Sequence, residues 1–417
     1  MTRSAITRRG LNRAAIAGAT LIGAPLPLRH GFAQSPPANL KVALLLPTSG
    51  LQAQIGQACK RGADVANDVF GDMKMPVRLE VMNYDTESKP DAARTQAEKA
   101  IDAGAHILVG AFDSGQSIAI AQVAEQRGIP FVVNIAAAPQ LTEQGYKFLV
   151  RNFPTGGMLV TNGLKLIKDL LVTTKLEAKT AVFLHANDNF GTAQRAAMDN
   201  IFPKAGLPFQ LLESIAYDPK AQDLSVEITK VRALNPDLLL VVTRAADAIK
   251  MVRDMVRQRF EPKGIISPGS PGLYDEEFYQ ALGPLSDYAI YNIPWANPKS
   301  QMTQALEAAF KPANPNFRFS VECFNVGFTF EALLVAAAAF KKAGTADGTE
   351  LMKAVRATDI AEHVMIGPAI KFDDKGQNVG IPSAAVQNLH KTPTVTLPVE
   401  VATATPILPI PGWQKRT

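Results

Sequence analysis

Strand-length apolar runs, each followed by a segment of helical period, recur along most of this chain. Residues 41–46 (Lys-Val-Ala-Leu-Leu-Leu) read as a buried strand that breaks at Pro47-Thr48-Ser49-Gly50. Residues 56–70 follow as a helix, with Ala58, Gly62, Val65, Ala66 and Val69 on one stripe. The alternation continues with strand 79–84, a helix over 90–103 opening on Pro90, strand 105–109, helix 117–125 and strand 130–133. The strands are continuously apolar rather than alternating, the pattern of a parallel sheet covered by helices on both faces. A doubly wound α/β unit is expected.

The pattern then restarts. Strand 181–184, helix 191–201, strand 209–217, helix 223–234, strand 237–242 and helix 247–260 repeat the rhythm. Tyr84-Asp85 and Tyr217-Asp218 each close a strand and each precede a helix and another apolar strand. This internal echo predicts two lobes of similar topology. Residues 303–310 and 323–342 read as alanine-rich helices. Beyond residue 392, Pro393, Pro398, Pro406, Pro409 and Pro411 forbid a helix and predict an extended closing segment. Ligands of open α/β sheets sit beyond the carboxyl ends of the strands, which directs attention to the loops after Leu46, Tyr84, Val109, Val133, Leu184 and Val242.

The N-terminal segment changes the picture of charge and location. Arg8-Arg9 stand ahead of an apolar stretch over 14–28, and Gly31-Phe32-Ala33 offers the small residues of a peptidase site. This is the pattern of a secretory signal peptide cleaved near Ala33, and the twin arginines point to the Tat route. Pro25, Pro27, Arg29 and His30 interrupt the run below the roughly 20 residues a membrane span needs. No second run of membrane length is expected downstream. The net charge of +5 is carried entirely by the five arginines of residues 1–33, so the exported chain is neutral. A neutral chain has no electrostatic reason to seek nucleic acid or an anionic membrane. Cys59 and Cys323 are far apart in sequence and are expected as two buried free thiols.

The loops carry no enzyme signature. No Gly-x-Gly-x-x-Gly or P-loop spacing follows a strand, and the five histidines are scattered without metal-ligand spacing. Pro268-Gly269-Ser270-Pro271-Gly272 resembles a nucleophile elbow only superficially, since the first glycine is missing. Catalytic residues, metal and cofactor are therefore all expected to be none. Two lobes around a cleft without catalytic groups describe a clamshell that closes on a ligand.

The chain over about 40–390 resembles the periplasmic solute-binding proteins of ABC importers, specifically the branched-chain amino-acid (Leu/Ile/Val) binding class. The resemblance rests on Leu44-Leu45-Leu46-Pro47-Thr48-Ser49-Gly50 with Arg61-Gly62-Ala63, and on Val109-Gly110-Ala111-Phe112-Asp113-Ser114-Gly115. Gly128-Ile129-Pro130-Phe131, Leu141-Thr142-Glu143-Gln144-Gly145-Tyr146 and Asn187-Asp188-Asn189-Phe190-Gly191 follow in the same order. It implies an α/β fold of two doubly wound parallel-sheet lobes joined by a hinge of several crossover segments, the type I periplasmic binding protein clamshell. It places the crossovers near Phe153-Pro154, Asn292-Ile293-Pro294 and Gly367-Pro368. The expected organisation is a signal peptide over 1–33, lobe 1 over 39–153, lobe 2 over 154–291, a return to lobe 1 over 292–366, and lobe 2 with the proline-rich tail over 367–417.

The resemblance also implies a pocket, which this sequence fills only in part. Ser114 matches the serine that receives a ligand carboxylate, helped by N–H groups near Ser114 and Gly115; the plainer alternative for Ser114 is a helix N-cap. The loop Asn134-Ile135-Ala136-Ala137-Ala138 lacks the threonine usual there, leaving Asn134 and the backbone of Ala136 and Ala137. Phe190 stands where many relatives have tyrosine, so it is a pocket wall or a core aromatic. Gly269, beside Ser270, falls at or near the position of the acidic residue that holds an amino acid's ammonium. A buried ammonium without a carboxylate is costly. Arg244 ends the strand 237–242 and faces the cleft, where it either binds an anionic group or forms a salt bridge to Asp247. Asp113 remains available for an ammonium. The expectation is a periplasmic, monomeric receptor that binds a small carboxylate or amino-acid ligand, leaning to an amine-free organic or aromatic acid, and works with an inner-membrane ABC permease. A sensing module for signalling and an exported α/β enzyme stay open as alternatives.

Overall fold

In the computed structural model, residues 39–416 are described; the signal segment and its cleavage point lie outside them. The first lobe is built on β1 (Leu40–Leu46), α1 (Ala53–Asp64), α2 (Ala66–Asp72), β2 (Leu79–Asp85), α3 (Pro90–Asp102), β3 (Ile107–Gly110), α4 (Ser114–Arg127), β4 (Phe131–Val133), α5 (Gln140–Glu143) and β5 (Leu149–Arg151). Its five strands are parallel in the order β2-β1-β3-β4-β5. The central strands β1 and β3 are buried almost throughout, which is why their sequences run apolar without alternation.

The second lobe continues with α6 (Gly156–Thr174), β6 (Thr180–Ala186), α7 (Asn189–Ile201), β7 (Gln210–Tyr217), α8 (Ser225–Leu234), β8 (Leu238–Val242), α9 (Ala245–Arg257), β9 (Gly264–Ser267), α10 (Glu276–Leu282) and β10 (Ile290–Ile293). The chain then forms α11 (Gln301–Ala313), α12 (Phe319–Ala343) and α13 (Gly348–Arg356), which pack on the first lobe, before closing with β11 (Ala384–Leu389) and β12 (Thr392–Leu397). The second sheet has the order β12-β11-β10-β9-β8-β6-β7, parallel except that β11 runs antiparallel to both its neighbours, β10 and β12. Pro393 thus sits in an edge strand, where its missing N–H costs no ladder bond.

Three segments join the lobes, and they differ from expectation in two places. The expected boundary between residues 291 and 292 falls inside β10, so that crossing begins after Ile293. The last crossing comes later than Gly367-Pro368. Arg151 at the end of β5 bridges Gln377, its N–H donating to the Gly376 carbonyl and its own carbonyl accepting from Asn378 N. Residues 376–378 therefore extend the first sheet, and the crossing follows Asn378. Asn378 Nδ2 in turn donates to Asn152 Oδ1, and Asn152 Nδ2 donates to Glu331 of α12 at 2.7 Å.

α12 corrects the expectation that no further run has membrane length, because it is long and apolar enough to span one. It is instead a core helix, nearly all of it buried against α1, β3, β4 and α13. A side chain at Gly62 of α1 would meet the Val326 carbonyl of α12, so glycine is what lets these two helices approach. Cys59 and Cys323 are free and buried, and burial pushes both thiols up to about 12.

Candidate ligand-binding site

Three helix N-termini converge where the lobes meet. Asp113, leaving β3, is the N-cap of α4; its Oδ1 accepts from Gly115 N at 2.8 Å and Gln116 N at 3.2 Å. Its Oδ2 accepts from Gln52 Nε2 at 2.9 Å and from Arg244 Nη2 at 3.1 Å. Asp188 caps α7 in the same way, its Oδ1 accepting from Gly191 N at 2.8 Å and its Oδ2 from Arg244 Nη1 at 2.5 Å. Arg244 itself is the N-cap of α9. It is 7% exposed, and its guanidinium lies 5.3 Å from the Phe190 ring centre. Burial opposes its charge, but Asp188, Asp113 and Asp247 outweigh burial and raise its pKa, so it is a fixed cation. Asp247 does not bond its guanidinium. It accepts the Arg244 backbone N–H and the Tyr217 hydroxyl, and burial raises its pKa.

Behind this ion cluster lies a narrow cavity, with about 350 Å3 between its lining atoms when the part open to solvent is counted. Phe112, Ile135, Ala136, Ala137, Phe153, Phe190, Gly269 and Pro271 form its largely apolar wall, and Asp113, Ser114 and Arg244 its polar side. Ser114 is the first residue of α4 and not its cap. It is 2% exposed, and its Oγ has no hydrogen-bond partner. The opposite loop is held rigidly by Arg151, whose Nη1 donates to the carbonyls of Ala136 and Ala138 at 3.1 and 2.6 Å. With those carbonyls engaged, the N–H groups of Ala136 and Ala137 meet no acceptor among the described residues.

Seven of the expected residues, Asp113, Ser114, Ala136, Ala137, Phe190, Arg244 and Gly269, line this one cavity. Three do not. Asn134 is buried behind it, its Oδ1 accepting from Phe112 N and Ile135 N and its Nδ2 donating to Thr329; it shapes the loop. Ser270 Oγ accepts from Thr243 N at 2.9 Å and from Ser267, which occupies it. Gly115 faces an outer cleft and spends its N–H on Asp113. Gly269 has φ +155°, and a Cβ there would lie 2.7 Å from Leu159 Cβ, so an acidic side chain at this position would be strained. Sequence reasoning misses Asp188, Phe112, Ile135, Phe153 and Pro271. Asp188 is the most legible of these, as an acidic residue two positions before Phe190 at a helix start.

Known proteins agree with this architecture. The sequence pattern of the family described as periplasmic binding protein matches residues 39–387. A leucine-, isoleucine-, valine-, threonine- and alanine-binding protein of Pseudomonas aeruginosa is 24% identical over 350 residues, covering 81% of this chain and 87% of the relative. A Leu/Ile/Val-binding protein homolog of Brucella abortus is also 24% identical, over 82% of this chain and 87% of its own. Among solved structures, the branched-chain amino acid transporter substrate binding protein of Streptococcus pneumoniae in complex with isoleucine superposes with a TM-score of 0.72 at 18% identity, covering 85% of this chain and 97% of that one. An ABC transporter solute binding protein of R. palustris in complex with benzoate gives 0.73 at 19% identity, covering 88% and 98%. The chain belongs to the periplasmic binding protein family, and its two-lobed α/β frame is that of the type I members.

Proposed function

We propose that this protein is an exported, monomeric receptor that captures a small solute between its lobes and delivers it to an inner-membrane ABC permease, and that the solute is an amine-free monocarboxylic acid with a compact apolar body. The observation that carries the ligand class is a mismatch of donors and acceptors. Ser114 Oγ is buried without a partner, beside two unengaged N–H groups at Ala136 and Ala137, whereas Asp113 already accepts four hydrogen bonds from the chain. A carboxylate at the start of α4 would satisfy those donors and gain from the helix N-terminus. Its apolar body would then lie among Ile135, Phe153, Phe190 and Pro271. An amino acid's ammonium would have to draw Asp113 or Asp188 away from Arg244, and Gly269 offers no carboxylate in their place. The relatives bracket the choice, since one structural neighbour holds isoleucine and another benzoate.

A thermal-shift and calorimetric screen of the chain lacking residues 1–33 tests this reading, because a ligand bound only by the folded state raises the melting temperature. Benzoate and short-chain aliphatic acids are expected to stabilise the protein, and leucine and isoleucine are not. Stabilisation by leucine or isoleucine and not by the acids would overturn the ligand class and assign the pocket to amino acids.

A further inference from the structure

The ion cluster divides the cleft into two chambers. On one side is the narrow inner cavity; on the other is a much larger cleft bounded by Gln52, Lys89, Asp188, Lys220 and Glu277 among others. Asp113 and Arg244 line both, so their side chains are the partition between them. The partition is also a junction between lobes, because Asp113 belongs to the β3–α4 turn of the first sheet's lobe and Arg244 to the β8–α9 turn of the second. Each half is anchored at home. Gln52 and the α4 N–H groups hold Asp113, and Asp188 of Arg244's own lobe holds the guanidinium. Among the hydrogen bonds of these two side chains, the Nη2–Oδ2 contact of 3.1 Å is the one that crosses between the lobes, so when the lobes part Arg244 keeps Asp188 and Asp113 keeps its bonds from Gln52 and the α4 N–H groups.

We propose that the Asp113–Arg244 pair is a latch that closes the receptor even when it is empty and that determines specificity by size: only an acid short enough to lie wholly behind the pair allows it to form. A longer acid would need more room than the inner cavity has and would hold the lobes, and with them the latch, apart. The size filter rests on the carboxylic-acid reading given above, whereas the latch does not.

The latch is read first without ligand. Spin labels on exposed positions of the two lobes report the lobe-to-lobe distance distribution in wild type and in Asp113→Asn, a substitution that keeps the α4 cap while removing the charge. Loss of a close charge pair is expected to shift the closed-to-open ratio about tenfold toward open, and added salt is expected to move wild type in the same direction. Arg244→Gln should match Asp113→Asn, and the double variant should add nothing further. Identical distributions in wild type and both single variants would overturn the latch. Size selection is then read as the affinity ratio of benzoate to biphenyl-4-carboxylate. That ratio should fall in Asp113→Asn, and an unchanged ratio would overturn the filter. If neither acid binds either protein, the carboxylic-acid reading and the filter both fail, while the distance measurement still decides the latch.

Discussion

Replacing Ser114 by alanine should have effects of opposite sign on the empty and the occupied receptor. The Oγ of Ser114 is buried and makes no hydrogen bond, so the folded protein without ligand carries an unsatisfied polar group. Such a group costs about 1–3 kcal/mol relative to its hydrated state, and alanine removes it while leaving the helix start, capped by Asp113, intact. Urea unfolding of ligand-free Ser114→Ala is therefore expected to give a stability equal to wild type or higher by about 1 kcal/mol. With ligand the sign reverses. A hydrogen bond to a charged carboxylate contributes about 1.5–3 kcal/mol, so calorimetry should find the acid bound roughly 10- to 150-fold more weakly. A purely structural serine would behave in the other way. If Ser114→Ala destabilises the empty protein by more than about 1 kcal/mol and leaves affinity untouched, the hydroxyl is part of the packing and the pocket reading is wrong.

Gly269→Asp, the substitution that would restore an ammonium partner, should lower stability in urea by about 1–3 kcal/mol of strain, because φ is +155° and the new Cβ meets Leu159; unchanged stability together with a gain of leucine binding would contradict that. His363 should make stability depend on pH. Its Nδ1 lies 2.8 Å from Glu331 and its Nε2 2.9 Å from the Pro368 carbonyl, so both ring nitrogens face acceptors. Burial lowers its pKa, but Glu331 outweighs burial and the net shift is upward from the ordinary value of 6.5. The contribution is then complete below 6.5 and is lost as pH rises through the elevated folded value, a loss that His363→Gln should lack when melting temperatures are compared across pH. Cys59 and Cys323, with thiols pushed up to about 12, should react with a disulfide reagent far more slowly in the native protein than in denaturant; rapid labelling of the native state would place either thiol at the surface.

How much of the fold is legible in the sequence follows from what each feature depends on. The parallel sheets can be read because β1, β3, β6 and β8 are buried on both faces, and burial on both faces requires a continuous apolar run of strand length. α6 is hidden: its apolar positions are abundant, but the Gly156-Gly157 start masks the helical onset until Thr155 is seen to cap Met158 N. The cavity wall is half legible. Residues at strand ends follow the topological rule, which reaches Ser114, Ala136 and Arg244, whereas Phe153 and Pro271 enter only through a crossing segment and a loop bend that local pattern does not encode. Gln377 shows the same limit. Nothing near it in sequence announces that its side chain accepts from Arg151 and thereby delays the last crossing.

Arg244 is where the two levels conflict, and the conflict is informative. A cation at a helix N-terminus opposes the macrodipole, so local propensity argues against arginine as the cap of α9. The fold tolerates it because two carboxylates, each already fixed as the cap of another helix, converge on it from opposite lobes. Asp113 and Asp188 thus serve twice, ending α4 and α7 properly and together outweighing the single positive charge of Arg244. The consequence for a ligand is that Arg244 is already engaged by two carboxylates before it arrives. What the cavity still presents is Ser114 Oγ, two loop N–H groups and an aromatic wall, a donor-rich and cation-poor surface on which the proposed carboxylate would be held by hydrogen bonds and a helix terminus rather than by a dedicated arginine.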